Sequence, residues 1–349
     1  MIEAELGSTR VDVPAEPEEL FAEVERRGWG DGLPVIPPTP ARVAAFVAAA
    51  GRPASLSIAD LAPSWAPATV EKIAVNAVLA GCRPEYMPVL VAAVRAVAQP
   101  AFNLSAIQAT THPCAVLLLV SGPATARLGL NSGYGAFGPG NRANATIGRA
   151  LRLLLMNVGG ARPGELDRAT QGTPAKYTYC VAENEERSPW PPLRVALGHR
   201  PEVSTVTVLA GEAPHNVNDH GSNDAAGVIR QIAGTMATPG SNNVYMKGGD
   251  SFVFVGPEHA HQIAAEGIDR DDLRRRLFEL AQVPHERFGA GHLENLLAGL
   301  DGDVRALAAK AMFVGRSPDD IQVVVVGGDG RHSAWVPSFG MTRSCTEVI

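Results

Sequence analysis

Ala115-Val-Leu-Leu-Leu-Val-Ser-Gly-Pro123 is a run of six apolar residues closed by Ser-Gly-Pro. Six residues suit a strand, and an unbroken apolar run without alternation suits a strand buried on both faces. Two further runs have the same form. They are Ser-Phe-Val-Phe-Val-Gly-Pro at 251–257 and Ile-Gln-Val-Val-Val-Val-Gly-Gly at 321–328, each ended by glycine. A fourth, Ser-Thr-Val-Thr-Val-Leu-Ala-Gly at 204–211, alternates more, and a short apolar run covers 177–181. Between them the apolar residues recur at helical spacing over 146–158, 225–236, 257–266, 271–282 and 293–310. Strands alternating with helices predict an α/β fold, a mixed sheet of buried strands covered by helices. The shared passage from strand through Gly-Pro into a small-residue helix start suggests two related α/β units, 101–200 and 201–349. Strand-to-helix turns often converge on Gly-Pro, so a single α/β domain over 101–349 stands beside that reading.

Upstream, residues 1–100 read as a Pro-rich loop and a helical hairpin. A short helix over 18–27 ends at Gly28. Gly-Trp-Gly-Asp-Gly-Leu-Pro-Val-Ile-Pro-Pro-Thr-Pro at 28–40 is neither helix nor central strand, because proline donates no hydrogen bond. Thr39 then caps a helix with Pro40 at its first position. A mostly apolar helix over 70–80 stops at Gly81, and a second restarts at Pro84 with Met87, Leu90, Val91 and Val94 on one face. A hairpin this apolar over 70–97 predicts a homo-oligomer that covers it.

Composition limits the function classes. The 349 residues carry a net charge of -6, which argues against a nucleic-acid partner, since that needs a basic face. No stretch of eighteen apolar residues predicts a membrane span. The start, Met-Ile-Glu-Ala-Glu-Leu, lacks the basic and apolar regions of a signal peptide, so a cytoplasmic location is expected. Four cysteines without a CxxC are neither a disulfide framework nor a zinc ribbon.

Polar residues gather at the ends of the expected strands. Gly133 to Gly140 bring four glycines and a proline ahead of Asn141, Arg142 and Asn144 and then a helix. Free N–H groups at a helix start, close backbone approach at glycine and a guanidinium fork together suit an anion. A tight Asn-rich turn with an N-cap accounts for the same residues. His112 sits before the first buried strand as a candidate substrate contact. Glu183 and Glu185 share a face if the chain is extended, and two such carboxylates suit acid/base work or a divalent cation. Residues 212–224 are the densest polar stretch, and they read as a loop after a strand. His215 and His220 are candidate acid/base groups, or metal ligands together with Asp219. Asn243 precedes the next buried strand, and His332 follows another. Cys82 lies beside Arg83 at a helix start, where dipole and guanidinium lower a thiol pKa; a small buried residue in a tight turn is the other reading.

Asp-Gly-Leu-Pro-Val-Ile-Pro-Pro-Thr at 31–39 and Gly-Ala-Phe-Gly-Pro-Gly-Asn-Arg-Ala-Asn-Ala-Thr-Ile-Gly-Arg-Ala at 135–150 resemble phrases of a family of uncharacterised bacterial proteins of similar length. Ala-Glu-Asn-Glu-Glu-Arg-Ser-Pro-Trp at 182–190 and Gly-Ser-Asn-Asn at 240–243 fit it too. The chain also resembles the UGSC (seleno)protein group, although Arg343-Ser344-Cys345 stands where a Cys-Gly-Ser-Cys would be sought. Neither resemblance implies a substrate. Two functions remain open. One is an enzyme for a small polar, anionic substrate, a lyase, hydrolase or isomerase without a redox cofactor, working by acid/base or metal-assisted chemistry. In it Arg142, Asn144, His215, His220 and a glutamate converge on one pocket, with Asn141 and Asn243 orienting the substrate. The other is a non-catalytic subunit of a larger, thiol or redox, enzyme system that docks through residues 33–40 and the helical hairpin.

Overall fold

A computed structural model describes residues 6–349. The strands in chain order are β1 (Ser57–Leu61), β2 (Ala66–Thr69), β3 (Ala115–Ser121), β4 (Cys180–Ala182), β5 (Thr205–Gly211), β6 (His215–Asn218), β7 (Ser251–Val255), β8 (Gln282–Pro284), β9 (Ala311–Phe313), β10 (Ile321–Val325), β11 (His332–Val336) and β12 (Cys345–Val348). β1–β2 and β8–β9 are small antiparallel pairs. The other eight strands form two four-stranded sheets, ordered β12-β5-β3-β4 and β10-β7-β11-β6. The fold is α/β with mixed sheets, as the apolar runs predict.

The two sheets repeat one wiring. In the first, β3 pairs parallel with β4 and antiparallel with β5, and β5 pairs antiparallel with β12. In the second, β7 pairs parallel with β10 and antiparallel with β11, and β11 pairs antiparallel with β6. The last strand of each set is exchanged. β6 follows β5 in the chain yet lies in the second sheet, and β12 follows β11 yet lies in the first. Where the two chain segments cross, Glu212 N–H donates to Pro337 O at 2.8 Å, Phe339 N–H donates to Ala210 O at 3.0 Å, and Gly211 bridges Ser338. Sheet membership therefore does not follow a cut at residue 200, because β5 belongs with β3.

Alternation along each strand builds four layers. Leu117, Leu119, Val181 and Leu209 of the first sheet meet Phe252, Phe254, Val324 and Val336 of the second in a central core. Leu118, Val120, Val206 and Val208 face outward onto helices Pro40–Ala50, Val70–Ala80, Met87–Val97 and Arg142–Asn157. Val253, Val255, Val323 and Trp335 face outward onto helices Ala225–Met236, Pro257–Ala264 and Arg270–Leu280.

The apolar hairpin is absorbed within the chain. Val70, Ile73, Ala77, Met87, Leu90 and Val94 are buried in the same core as the first sheet. The region from Val43 to Val97 thus shares a core with β3 and β5, and the apolar surface that motivated a homo-oligomer is already covered. Among the described residues no single helix is long and apolar enough to cross a membrane. One bent pair, Pro84–Val97 with Pro100–Ala109, passes on length and composition but turns by 73°.

Two helices depart from the sequence periodicity. The helix expected from 146 starts at Arg142, because Asn141 Oδ1 accepts from Asn144 N–H at 2.9 Å and caps it. The helix expected over 293–310 is two helices, Ala290–Ala298 and Gly302–Leu307, separated around Gly299 and Asp301.

Candidate functional site

The glycine-rich stretch is a structural wrap. Asn144, 4% exposed, accepts from Asn131 N–H and donates to Asn131 O at 2.9 Å and to Ala136 O at 3.2 Å. Asn141 caps the helix and donates to Gly129 O. Arg142 Nε donates to Gly81 O at 3.0 Å, so it caps the carboxyl end of helix Val70–Ala80 from an exposed position. Phe137 packs edge-on against Phe254 with centroids 5.0 Å apart, and Ser132 O accepts from Gly327 N–H. The loop closes the edge of the sandwich, and Gly135 and Gly140, with φ of 64° and 108°, supply its left-handed turns.

Glu183 and Glu185 lie together at the ends of β3 and β4 but with separate duties. Glu183, 2% exposed, accepts from Ser121 Oγ at 2.7 Å and Leu193 N–H at 2.8 Å, with Arg270 3.9 Å away. Burial raises its carboxyl pKa and lowers that of Arg270, so desolvation outweighs their attraction. Glu185 accepts from Gly122 N–H and is gripped at both oxygens by Arg194, at 3.0 and 2.7 Å.

The 212–224 segment is not all loop, since residues 215–218 form the edge strand β6. His215 packs edge-on to Trp335. Asp219 accepts from Gly221 and Ser222 N–H, and these bonds hold its pKa low despite burial. His220 Nε2 lies 3.3 Å from His332 Nε2. Among the described residues no group of three or more His, Cys, Asp or Glu is placed to hold a metal, so His215, His220 and Asp219 do not form one site. Asn243 pins the crossing, with its amide donating to Ser338 Oγ at 3.0 Å and accepting from Ser338 N–H at 2.9 Å.

Cys82 donates to Thr146 O at 3.2 Å, and burial pushes its pKa up to about 12 against the pull of Arg142. Burial raises the other three thiols as well. The Pro-rich segment is docked on the chain's own helices. Ile36 N–H donates to Leu79 O, and Arg149 grips Asp31 at 2.7 and 2.8 Å. That ion pair joins the 31–39 phrase to the 135–150 phrase.

It also stands beside an open cleft. A cleft of about 420 Å³ is lined by Asp31, Arg152, Asp167, Thr173, Lys176 and Tyr177, among others. A smaller cavity of about 10 Å³ shares Arg152 and Lys176 with it and is lined further by Gln108, Cys114 and Tyr179. Arg142, Asn144, Glu183, His215 and His220 line neither. Arg152 points to Asp167 at 2.8 Å, and Lys176 spans both of its oxygens at 2.8 and 2.7 Å. These contacts hold the Asp167 pKa low, while burial lowers that of Arg152. With Asp31 neutralised by Arg149, two cations share one carboxylate, and the wall keeps a positive excess. Gln108, 4% exposed, receives Arg152 at 3.4 Å on its Oε1, and its Nε2 is buried without a partner.

The segment before β3 is tied to this wall. Thr170 N–H donates to Thr111 O at 2.9 Å, and the next residue, His112, places Nε2 2.8 Å from Glu212 Oε1. Tyr179 Oη donates to Glu212 O, and His112 Nδ1 is buried without a partner. Arg152 reads in sequence as the polar face of a helix, and Asp167 and Lys176 fall in a stretch with no periodicity. Only their meeting marks them. No family model, no curated protein and no solved structure matches the chain.

Proposed function

We propose that this chain is an enzyme for a small anionic substrate, a carboxylate, bound in the cleft between helix Arg142–Asn157 and residues 163–177. The observation that carries the reading is the sharing of Asp167 by Arg152 and Lys176 at the wall of a 420 Å³ cleft. An incoming carboxylate supplies the second anion that the two cations lack, with Arg152 suited to a bidentate grip. Gln108, whose Nε2 is buried without a partner, lines the 10 Å³ cavity behind them and not the cleft itself.

The acid/base candidate of this reading is His112, which lines neither cavity and is joined to the cleft wall through the bond from Thr170 N–H to Thr111 O. Glu212 Oε1 accepts its Nε2–H at 2.8 Å, which fixes the ring and leaves the proton-accepting Nδ1 as its one uncommitted nitrogen. The pairing of a carboxylate, an imidazole and a cationic anchor suits proton abstraction beside a carboxylate, the chemistry of a lyase or isomerase.

Calorimetric titration with short mono- and dicarboxylates tests the binding half. Arg152→Met and Lys176→Met are each expected to weaken binding at least tenfold, while Arg142→Met leaves it unchanged. Equal affinity in all three variants would overturn the cleft assignment.

A further inference from the structure

A pair of histidines lies on the exposed edge of the second sheet. His332 opens β11, and His220 follows the end of β6, the strand paired with β11. Both imidazoles are exposed. Their Nε2 atoms are 3.3 Å apart, and the rings stand at 75° to one another. His332 Nδ1 lies 2.9 Å from Asn216 Oδ1. An amide oxygen only accepts, so Nδ1 carries the proton and the Nε2 lone pair of His332 is aimed at His220. Holding the far nitrogen of an imidazole in this way is what an outer partner does for a metal ligand.

The distance suits a shared ion better than a direct bond. N–H···O and related bonds in proteins centre near about 2.9–3.0 Å, and 3.3 Å is long for one. Two nitrogens each about 2.1 Å from a metal and 3.3 Å from each other subtend about 104°, near the tetrahedral angle. The backbone beneath is fixed. Asp219 O receives His259 Nε2 at 3.1 Å and Arg331 Nε at 2.9 Å. His259 is fully buried and its tautomer is set, because the Asp219 carbonyl only accepts, so Nε2 carries the proton and Nδ1 accepts from the Ser333 hydroxyl, which in turn accepts from Gly256 N–H. The turn that carries His220 is therefore clamped to the strand that carries His332.

We propose that His220 and His332 bind one divalent transition metal ion of borderline softness, such as Zn²⁺, Ni²⁺ or Cu²⁺, with Asn216 orienting His332 and solvent completing the coordination. Imidazole nitrogen selects these ions over Mg²⁺ and Ca²⁺, which take oxygen ligands. On binding, His220 presents its own Nε2 lone pair and keeps its proton on Nδ1. The site stands apart from the carboxylate cleft and does not depend on it.

Titration of the full chain with Ni²⁺, read by calorimetry, and the Cu²⁺ electron paramagnetic resonance spectrum test this. One equivalent of Ni²⁺ is expected in the wild type, with two nitrogen couplings on Cu²⁺. His220→Gln and His332→Gln should each weaken binding at least tenfold and reduce the spectrum to one nitrogen. Asn216→Ala should weaken it about tenfold, and His215→Gln should not change it. Retention of wild-type affinity in His220→Gln and His332→Gln, or a Cu²⁺ spectrum without two nitrogens in the wild type, would overturn the assignment.

Discussion

At the scale of single residues, burial decides what each polar group does. Cys82 has an arginine nearby and opens a helix, yet desolvation wins and its thiol is held near 12. It should resist a thiol reagent at pH 8 in the native state and react on unfolding; fast native reaction would contradict this. Cys82→Ala loses the bond to Thr146 O and leaves a small void, an expected cost of about 1–2 kcal/mol in urea denaturation. Glu183 offers a test by pH. Its folded pKa is raised, so its contribution to stability is fully present below the ordinary carboxyl range and is lost as pH rises through the folded value. Relative to wild type, Glu183→Gln should therefore gain stability as pH rises from 4 to 8, with a slope of up to about 1.4 kcal/mol per pH unit. A pH-independent difference would mean that folding does not raise the carboxyl pKa. Asn141, Asn144 and Arg142 were legible as a helix start, but nothing local shows that their hydrogen-bonding capacity is spent inside the protein.

At the scale of elements, close approach is as informative as apolar pattern. Gly148 sits in the middle of helix Arg142–Asn157, where glycine normally weakens a helix. A Cβ there would lie 2.5 Å from Thr178 Oγ1 and 2.6 Å from Tyr179 N, so the helix is pressed against the chain entering β4. Gly148→Ala should cost about 1–3 kcal/mol through overpacking against backbone that cannot yield. Gly234, in helix Ala225–Met236, has no neighbour within 4 Å of a Cβ, and Gly234→Ala should be neutral or stabilising by up to about 1 kcal/mol. A comparison of the two urea midpoints checks both. Long buried strands and capped helices were readable because their signals are local. β6, β11 and β12 were not, because they mix polar and apolar side chains and carry no apolar run longer than three residues.

At the scale of the molecule, the exchanged strands make the two sheets interdependent. Removing residues 344–349 deletes β12, opens the edge of β5 and breaks the grip of Ser344 on Asp250. The truncated chain should unfold at lower urea in one transition, with near- and far-ultraviolet circular dichroism coincident. Separate transitions would show that the two sheets fold on their own. The cleft belongs to this scale too, since Arg152, Asp167 and Lys176 come from a helix and from an irregular segment. By itself the sequence determined the α/β class, the buried strands β3, β7 and β10, though not that β10 is an edge strand, and most of the longer helices, because hydrophobic periodicity acts within a few residues. Only the tertiary structure decided that the strands divide into two facing sheets with their last strands exchanged. It also decided that the conspicuous glycine-rich stretch is a wrap, and that the positive excess lies at Arg152 and Lys176. Pairing between distant strands and the balance between desolvation and charge are set by neighbours far along the chain, which no local pattern encodes.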